Sequence, residues 1–202
     1  MLKPCVIALK LASELPDVNA DYIGADRGAL ALAQNHIRMV LAIGDFDSVS
    51  EDDMHVIELW ADEIIRLNPV KDCSDSEAAL AKAIDMGYET IFLAGASGGR
   101  LDHTYVNLQL MIRSPHHVVL IDDRNLAETF RKGSYEIAKG SYAYASFFAL
   151  EDSVVSLKGM KYPLDHRLMS RDDVFGLSNE ITGDTGTLTV HQGRVLMIRS
   201  RD

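Results

Sequence analysis

Residues 39–53 read MVLAIGDFDSVSEDD. The apolar run from Met39 to Ile43 stops at Gly44, and two carboxylates, Asp45 and Asp47, follow one residue apart. Ser48 precedes Glu51, and Ser50 precedes Asp53, by three residues; either pair offers a capping signal for a helix over EDDMHVIELWAD, residues 51–62. A strand is therefore predicted to pass into a helix through a short acidic loop. On a strand that has just ended, side chains at i and i+2 share a face, so Asp45 and Asp47 are expected to converge in front of the sheet. Converging like charges call for a counter-charge, and Mg²⁺ is the usual one for such oxygen ligands.

The same grammar extends in both directions. CVIALKL (5–11), EIIRLN (63–68), TIFLAGA (90–96) and HVVLIDD (117–123) are strand-like apolar runs. GADRGALALAQNH (24–36), SDSEAALAKAIDMG (74–87) and DHTYVNLQLMIRS (102–114) carry helical spacing. The second of these opens on a Ser74-x-x-Glu77 capping box and stops at Gly87, and Pro115 ends the third. Apolar runs without alternation, separated by helices, indicate a parallel sheet covered on both faces. From about residue 124 the pattern changes to β-branched and aromatic segments broken by Gly and Asp: AETFR, SYEIA, YAYASFFAL, SVVSLKGM and GTLTVHQGRVLMIR. Gln192-Gly193 in the last is read as a hairpin turn. The expected fold is an α/β, Rossmann-like parallel-sheet domain over residues 1–123, followed by a small all-β sandwich domain over residues 124–202.

Bulk properties narrow the partners. The 202 residues carry 30 Asp and Glu against 20 Lys and Arg, a formal charge of −10. Nucleic acid and an anionic membrane both require a basic face, so neither is expected as the main partner. Cys5 and Cys73 have no metal-ligand spacing and are expected to be buried or free thiols in a reducing cytoplasm. No apolar run approaches the ~20 residues of a membrane span, and no signal-peptide pattern opens the sequence. A cytoplasmic protein is the expectation. Trp60, the single tryptophan, is read as core packing.

Four clusters fall where strands are expected to end, which is where open parallel sheets bind ligands: GADRG, GDFDS, KDCSDSE and GASGGRLDH. Asp45, Asp47, Asp72 and Asp75 have a bland reading as caps and first-turn acids. As two acidic pairs at neighbouring strand ends, they also offer ligands for Mg²⁺ and a carboxylate that accepts a proton. Gly98 and Gly99 permit close backbone approach to phosphate, and Arg100 offers a planar fork for its oxygens. Asp102 and His103 open the next helix, whose N-terminus favours anions; their bland alternatives are an N-cap and a surface residue. No Gly-Lys-Ser/Thr follows the glycines and no GxGxxG occurs, which excludes a Walker A loop and gives no support to a dinucleotide site. Acidic ligands facing a glycine-arginine loop suit phosphoryl transfer.

Taken in order, GADRGAL, IGDFDSV, KDCSDSEAAL, GGRLDHTYVN, LKGMKYPLDHRL, GLSNEI and GRVLMIRS resemble the bacterial thiamine pyrophosphokinase family, from about Asp26 onward. The resemblance implies transfer of the pyrophosphoryl group of ATP to thiamine, giving thiamine diphosphate and AMP with Mg²⁺. It further implies a homodimer with thiamine near the subunit interface. On this reading Asp45, Asp47, Asp72 and Asp75 are catalytic and hold the metal. Asp26, Arg27, Ser48, Ser97, Gly98, Gly99, Arg100, Asp102, His103 and Asn107 bind ATP or its phosphates, and Ser178 and Asn179 bind thiamine. The sequence departs from the family pattern at Ser74, at Arg27 and in YASFFAL; the last leaves the local β structure open, and the aromatic that stacks on thiamine is unassigned. Three alternatives compete: a haloacid-dehalogenase-like phosphatase using the DxDxV-like stretch, a non-catalytic nucleotide- or thiamine-binding module, and a pyrophosphokinase with another acceptor.

Overall fold

The fold is that of a computed structural model describing residues 3–13, 15–70 and 72–202; Lys71 of the KDCSD stretch lies outside them. The chain divides into two compact units, residues 1–123 and 124–202.

In the first unit the elements run β1 (Cys5–Ala8), β2 (Asp21–Ala25), α1 (Arg27–Gln34), β3 (Leu41–Gly44), α2 (Glu51–Trp60), β4 (Ile64–Arg66), α3 (Asp75–Asp85), β5 (Thr90–Ala94), α4 (Leu101–Arg113) and β6 (His117–Ile121). All strand pairs are parallel, in the order β4-β3-β2-β1-β5-β6. β1 and β3 are buried at every residue, as expected for strands covered on both faces. The capping signals act where the sequence places them. Ser50 Oγ accepts from the Asp53 N–H at 3.2 Å and donates to its carboxylate at 2.8 Å, so Ser50 and not Ser48 starts α2. Ser74 Oγ accepts from the Glu77 N–H at 3.2 Å. Trp60 is half-buried against the cluster under α1 and α2, its ring edge-on to His36 at 5.2 Å.

Two expectations change here. Residues 24 and 25 belong to β2, and α1 starts only at Arg27. This strand escapes a periodicity argument because it is short and ends in Gly24-Ala25, small residues buried between β1 and β3. β1 stops at Ala8, leaving Leu9 to Leu11 in the loop that follows.

The second unit consists of β7 (Asn125–Phe130), β8 (Gly133–Ala138), β9 (Tyr144–Ala149), β10 (Ser153–Lys158), β11 (Leu164–Met169), β12 (Thr185–Gln192) and β13 (Val195–Ser200). Two antiparallel sheets form, β7-β13-β9 and β11-β10-β12-β8. Phe147, Val195 and Met197 from the first meet Val155, Leu157, Leu188 and Val190 from the second in one buried core. The stretch YASFFA is regular strand. Gln192-Gly193 does not make a hairpin: β12 pairs with β10 and β8, while β13 pairs with β7 and β9. Gly193, at φ +84°, turns the chain out of one sheet and into the other. Ser153 Oγ secures that crossing, accepting from the Arg194 N–H at 3.0 Å and donating to its C=O at 3.1 Å.

Candidate active site

The carboxyl ends of the first unit's strands supply the site. Past Gly44 the chain leaves β3 for a turn. Phe46 adopts φ +56° and is 5% exposed, sunk into the core under α1 and α2, and the Asp47 N–H donates to Asp45 Oδ1 at 3.2 Å. Asp45 and Asp47 thus approach each other through an Asx-type turn anchored by a buried ring, not through the strand pleat that the sequence suggested.

Asp26 completes the group. It follows β2 at φ 49°, ψ −119°, a conformation costly for a non-glycine residue and found where neighbours enforce it. Its N–H donates to the Ile43 C=O at 2.9 Å, and the Ser48 hydroxyl donates to its Oδ2 at 3.4 Å. Carboxylate oxygens of Asp26, Asp45 and Asp47 lie within 4.8 Å of one another. Burial holds the Asp26 carboxyl above its ordinary range, and the charges of Asp75 and Asp45 push it the same way, against opposing hydrogen bonds from the Arg27 backbone and Ser48. Asp26 Oδ1 is buried without a hydrogen-bond partner among the described residues. A crowded carboxylate trio with an unsatisfied oxygen is the donor set a hard divalent cation takes.

This differs from the acidic set read from sequence. Among the described residues the trio is Asp26, Asp45 and Asp47; Asp72 is exposed on the loop before α3, and Asp75 lies in the first turn of α3, close enough to raise the Asp26 carboxyl. The sequence reading places Asp26 among the residues that bind ATP or its phosphates, whereas its carboxylate meets those of Asp45 and Asp47. Asp45 follows the third strand of the chain, not the first, the place a phosphatase's aspartyl nucleophile would require.

Beside the trio opens a cavity of about 490 Å³, bounded by the loop after β1, Asp26, the start of α3, the glycine loop after β5 and the first two turns of α4. That volume is within the ordinary range for a small-molecule site. Ser74, Asp75, Gly98, Gly99, Arg100 and His103 line it. Arg100 is exposed and forked onto Asp102, Nε at 3.1 Å and a terminal nitrogen at 2.5 Å. That contact holds the Asp102 carboxyl below its usual range and Arg100 above its own. Asp102 is therefore not the N-cap of α4, which Arg100 occupies. Asn107 is buried, and its amide donates to the Ala96 C=O at 2.9 Å, tying α4 to the glycine loop. The Ser97 hydroxyl donates to Asp122. Arg27 is exposed and outside the cavity lining. Sequence reasoning missed Lys10 and Leu11, which also line it; the run CVIALKL had absorbed both into a strand.

In the second unit Ser178 is exposed at φ 55°, its N–H donating to Ser146 Oγ at 2.9 Å. Asn179 is 4% exposed and fully engaged: its Oδ1 accepts from the N–H groups of Tyr162 and Glu180, both at 2.9 Å, and its Nδ2 donates to the Tyr162 C=O at 2.8 Å. The clamp leaves Tyr162 58% exposed, with the Lys161 ammonium, paired to Glu180, 5.8 Å from its ring centre.

Known proteins resemble this chain along most of its length. Residues 16–121 match the family model for the thiamin pyrophosphokinase catalytic domain, and residues 134–195 the model for the thiamin pyrophosphokinase vitamin B1 binding domain. Thiamine pyrophosphokinase of Bacillus subtilis is 33% identical over 192 residues, covering 92% of this chain and 90% of its own. A crystal structure of the enzyme from that organism superposes with a TM-score of 0.85 at 30% identity, over 98% of this chain and 99% of the other. A thiamin pyrophosphokinase family protein from Enterococcus faecalis gives 0.85 at 28% identity, over 99% of both chains. With half the chain inside the catalytic-domain match and a relative of this identity spanning nearly all of it, the chain belongs to the thiamin pyrophosphokinase family.

Proposed function

We propose that the chain transfers the β,γ-pyrophosphoryl group of ATP to the hydroxyl of thiamine, releasing AMP. The hydroxyl oxygen bonds to the β-phosphorus, the bond from that phosphorus to the α-phosphate oxygen breaks, and the hydroxyl proton passes to a carboxylate. The observation that carries this reading is the meeting of the Asp26, Asp45 and Asp47 carboxylates beside a cavity bordered by a glycine loop and Arg100, in a member of this family.

The assignment of parts follows the geometry. Asp26, Asp45 and Asp47 would hold Mg²⁺, which supplies neutralisation of charge on the polyphosphate. Asp72 and Asp75 form the second acidic group at the head of α3. The backbone of Ser97 to Gly99 and the Arg100 guanidinium receive phosphate oxygens; Arg100 reaches them by exchanging one partner, Asp102, for another. Asp102, His103 and Asn107 complete the nucleotide side, Asn107 by fixing the loop. ATP would lie across the strand ends in a Rossmann-like manner, where the order reverses between β1 and β5. On the acceptor side Ser178 offers an exposed hydroxyl, and Asn179 presents the Tyr162 ring, the aromatic we assign to stack on thiamine. A cytoplasmic homodimer with thiamine near the subunit interface completes the proposal; among the described residues no helix is long and apolar enough to cross a membrane.

The test is AMP formation from ATP and Mg²⁺ with and without thiamine, with product masses recorded. Thiamine-dependent AMP together with thiamine diphosphate is expected. AMP dependent on a different alcohol would move the acceptor, and ADP or free phosphate would overturn the reaction.

A further inference from the structure

Lys10, on the loop after β1, is an exposed residue that lines the cavity from outside the segment matched by the catalytic-domain model, which begins at residue 16. Residues 9–13 fold into two overlapping turns, the Ala12 N–H donating to the Leu9 C=O at 2.9 Å and the Ser13 N–H to the Leu11 C=O at 2.8 Å. Both flanks of this loop are fixed. A Cβ on Gly28 would stand 2.0 Å from the Ala8 carbonyl oxygen, and one on Gly95 would stand 2.2 Å from the Ala12 nitrogen. Only glycine allows such approaches, so α1 and the β5 loop press directly on the backbone either side of Lys10. The Leu9 N–H adds a bond to the Ala94 C=O at 2.9 Å. Leu11 lies on the glycine loop, its Cδ1 3.1 Å from where a Cβ on Gly99 would be.

Lys10 is therefore mounted on a fixed backbone where the sheet order reverses, beside the loop that we assign to phosphate. The charges around it give it a task. Asp26 and Asp75 line the same cavity, and Arg100 already holds Asp102. The Lys10 ammonium enters no ion pair among the described residues. A polyphosphate entering beside two carboxylates meets repulsion there, which an uncommitted ammonium offsets as a compact charge with three donors.

We propose that Lys10 binds the polyphosphate chain of ATP. The inference rests on the reading that this cavity holds ATP, and it adds a phosphate-binding residue to those the motifs supply. It is tested in the full chain by Lys10→Met, which keeps the stem and removes the charge, and by Lys10→Arg. Calorimetry with Mg²⁺ and a non-hydrolysable ATP analogue gives one affinity, adenosine gives another, and turnover gives KM and kcat. Lys10→Met should weaken the analogue about tenfold or more while moving adenosine by less than about twofold, the scale of one lost charge-assisted bond. ATP KM should rise with it, thiamine KM should hold, and Lys10→Arg should recover most of the loss. Unchanged analogue affinity in Lys10→Met, or equal weakening of analogue and adenosine, overturns the proposal. A wild-type chain that binds the analogue but makes no AMP overturns the functional reading alone, and Lys10 is still judged by binding; no analogue binding at all overturns both.

Discussion

The Asp26 backbone passes so close to Gly44 that a Cβ there would lie 3.0 Å from the Asp26 Cα and 3.1 Å from its nitrogen. The glycine of the GDFDS motif thus serves a residue just past the end of another strand, β2. Gly44→Ala should push Asp26 away by a few tenths of an ångström, at roughly 1–3 kcal/mol of overpacking. The expected result is a folded protein with a weakened Mg²⁺-dependent rise in Tm, read by differential scanning fluorimetry across a Mg²⁺ titration.

Asp26 itself should trade stability for metal binding. Its carboxyl is raised from 3.8 mainly by burial, so in the metal-free protein ionising it disfavours the fold. As pH falls toward 3.8, the native state takes up this proton before the unfolded chain does, and the unfavourable contribution fades; it is fully present above the raised value. Asp26→Asn should therefore raise Tm of the metal-free protein at neutral pH and remove this pH dependence. The same variant should lose the Mg²⁺-dependent stabilisation and the turnover. A variant less stable than the wild type without metal would contradict the account of a repelled carboxylate.

Asn179 should prove structural in its immediate action and functional in its effect. Asn179→Ala strands the Tyr162 N–H and C=O, which it now satisfies, at about 1–3 kcal/mol for each group left buried and unpaired. Chemical denaturation should show that loss, and kinetics should show a raised thiamine KM with ATP KM unchanged. Tyr162→Ala should raise thiamine KM without the stability loss, since the residue is largely exposed and its backbone partners are kept.

The two thiols should separate cleanly. Cys5 is fully buried, and burial, followed by the nearby charge of Asp21, pushes its pKa up to about 12; Cys73 is a half-buried free thiol. A thiol reagent at pH 8 should add one label to the native protein, at Cys73, and two in denaturant, because the thiolate is the reactive species. Intact mass gives the count and peptide mass the position.

Much of the α/β unit is legible in the sequence because its signals are local. The Ser74-x-x-Glu77 box, the apolar run before Gly44 and the break at Pro115 each act within one turn or one strand. What escapes is decided by neighbours distant in sequence. β2 ends in Gly24 and Ala25, whose burial depends on the strands either side, and Lys10 lies past the end of β1 on a loop whose backbone Gly28 and Gly95 approach closely. The convergence of Asp45 and Asp47 is legible, yet its cause is the buried Phe46 ring. Asp26 joins them through a Gly44 contact that no spacing rule encodes, and the same holds in the second unit, where Gly193 looks like a hairpin until its flanking strands are seen to pair elsewhere.

The sheet change at Gly193 also bears on when the second unit can close during synthesis. β13 lies between β7 and β9, so the middle member of that sheet is the last of the unit's strands to leave the ribosome. Until residue 200 has emerged, β7 and β9 each present an unpaired edge, and the buried faces of Phe147 and Val155 lack Val195 and Met197 against them. Nascent chains stalled within 185–195 should accordingly be captured by chaperones and cut by protease in this unit, while those extended past 200 by a tunnel-length linker should resist.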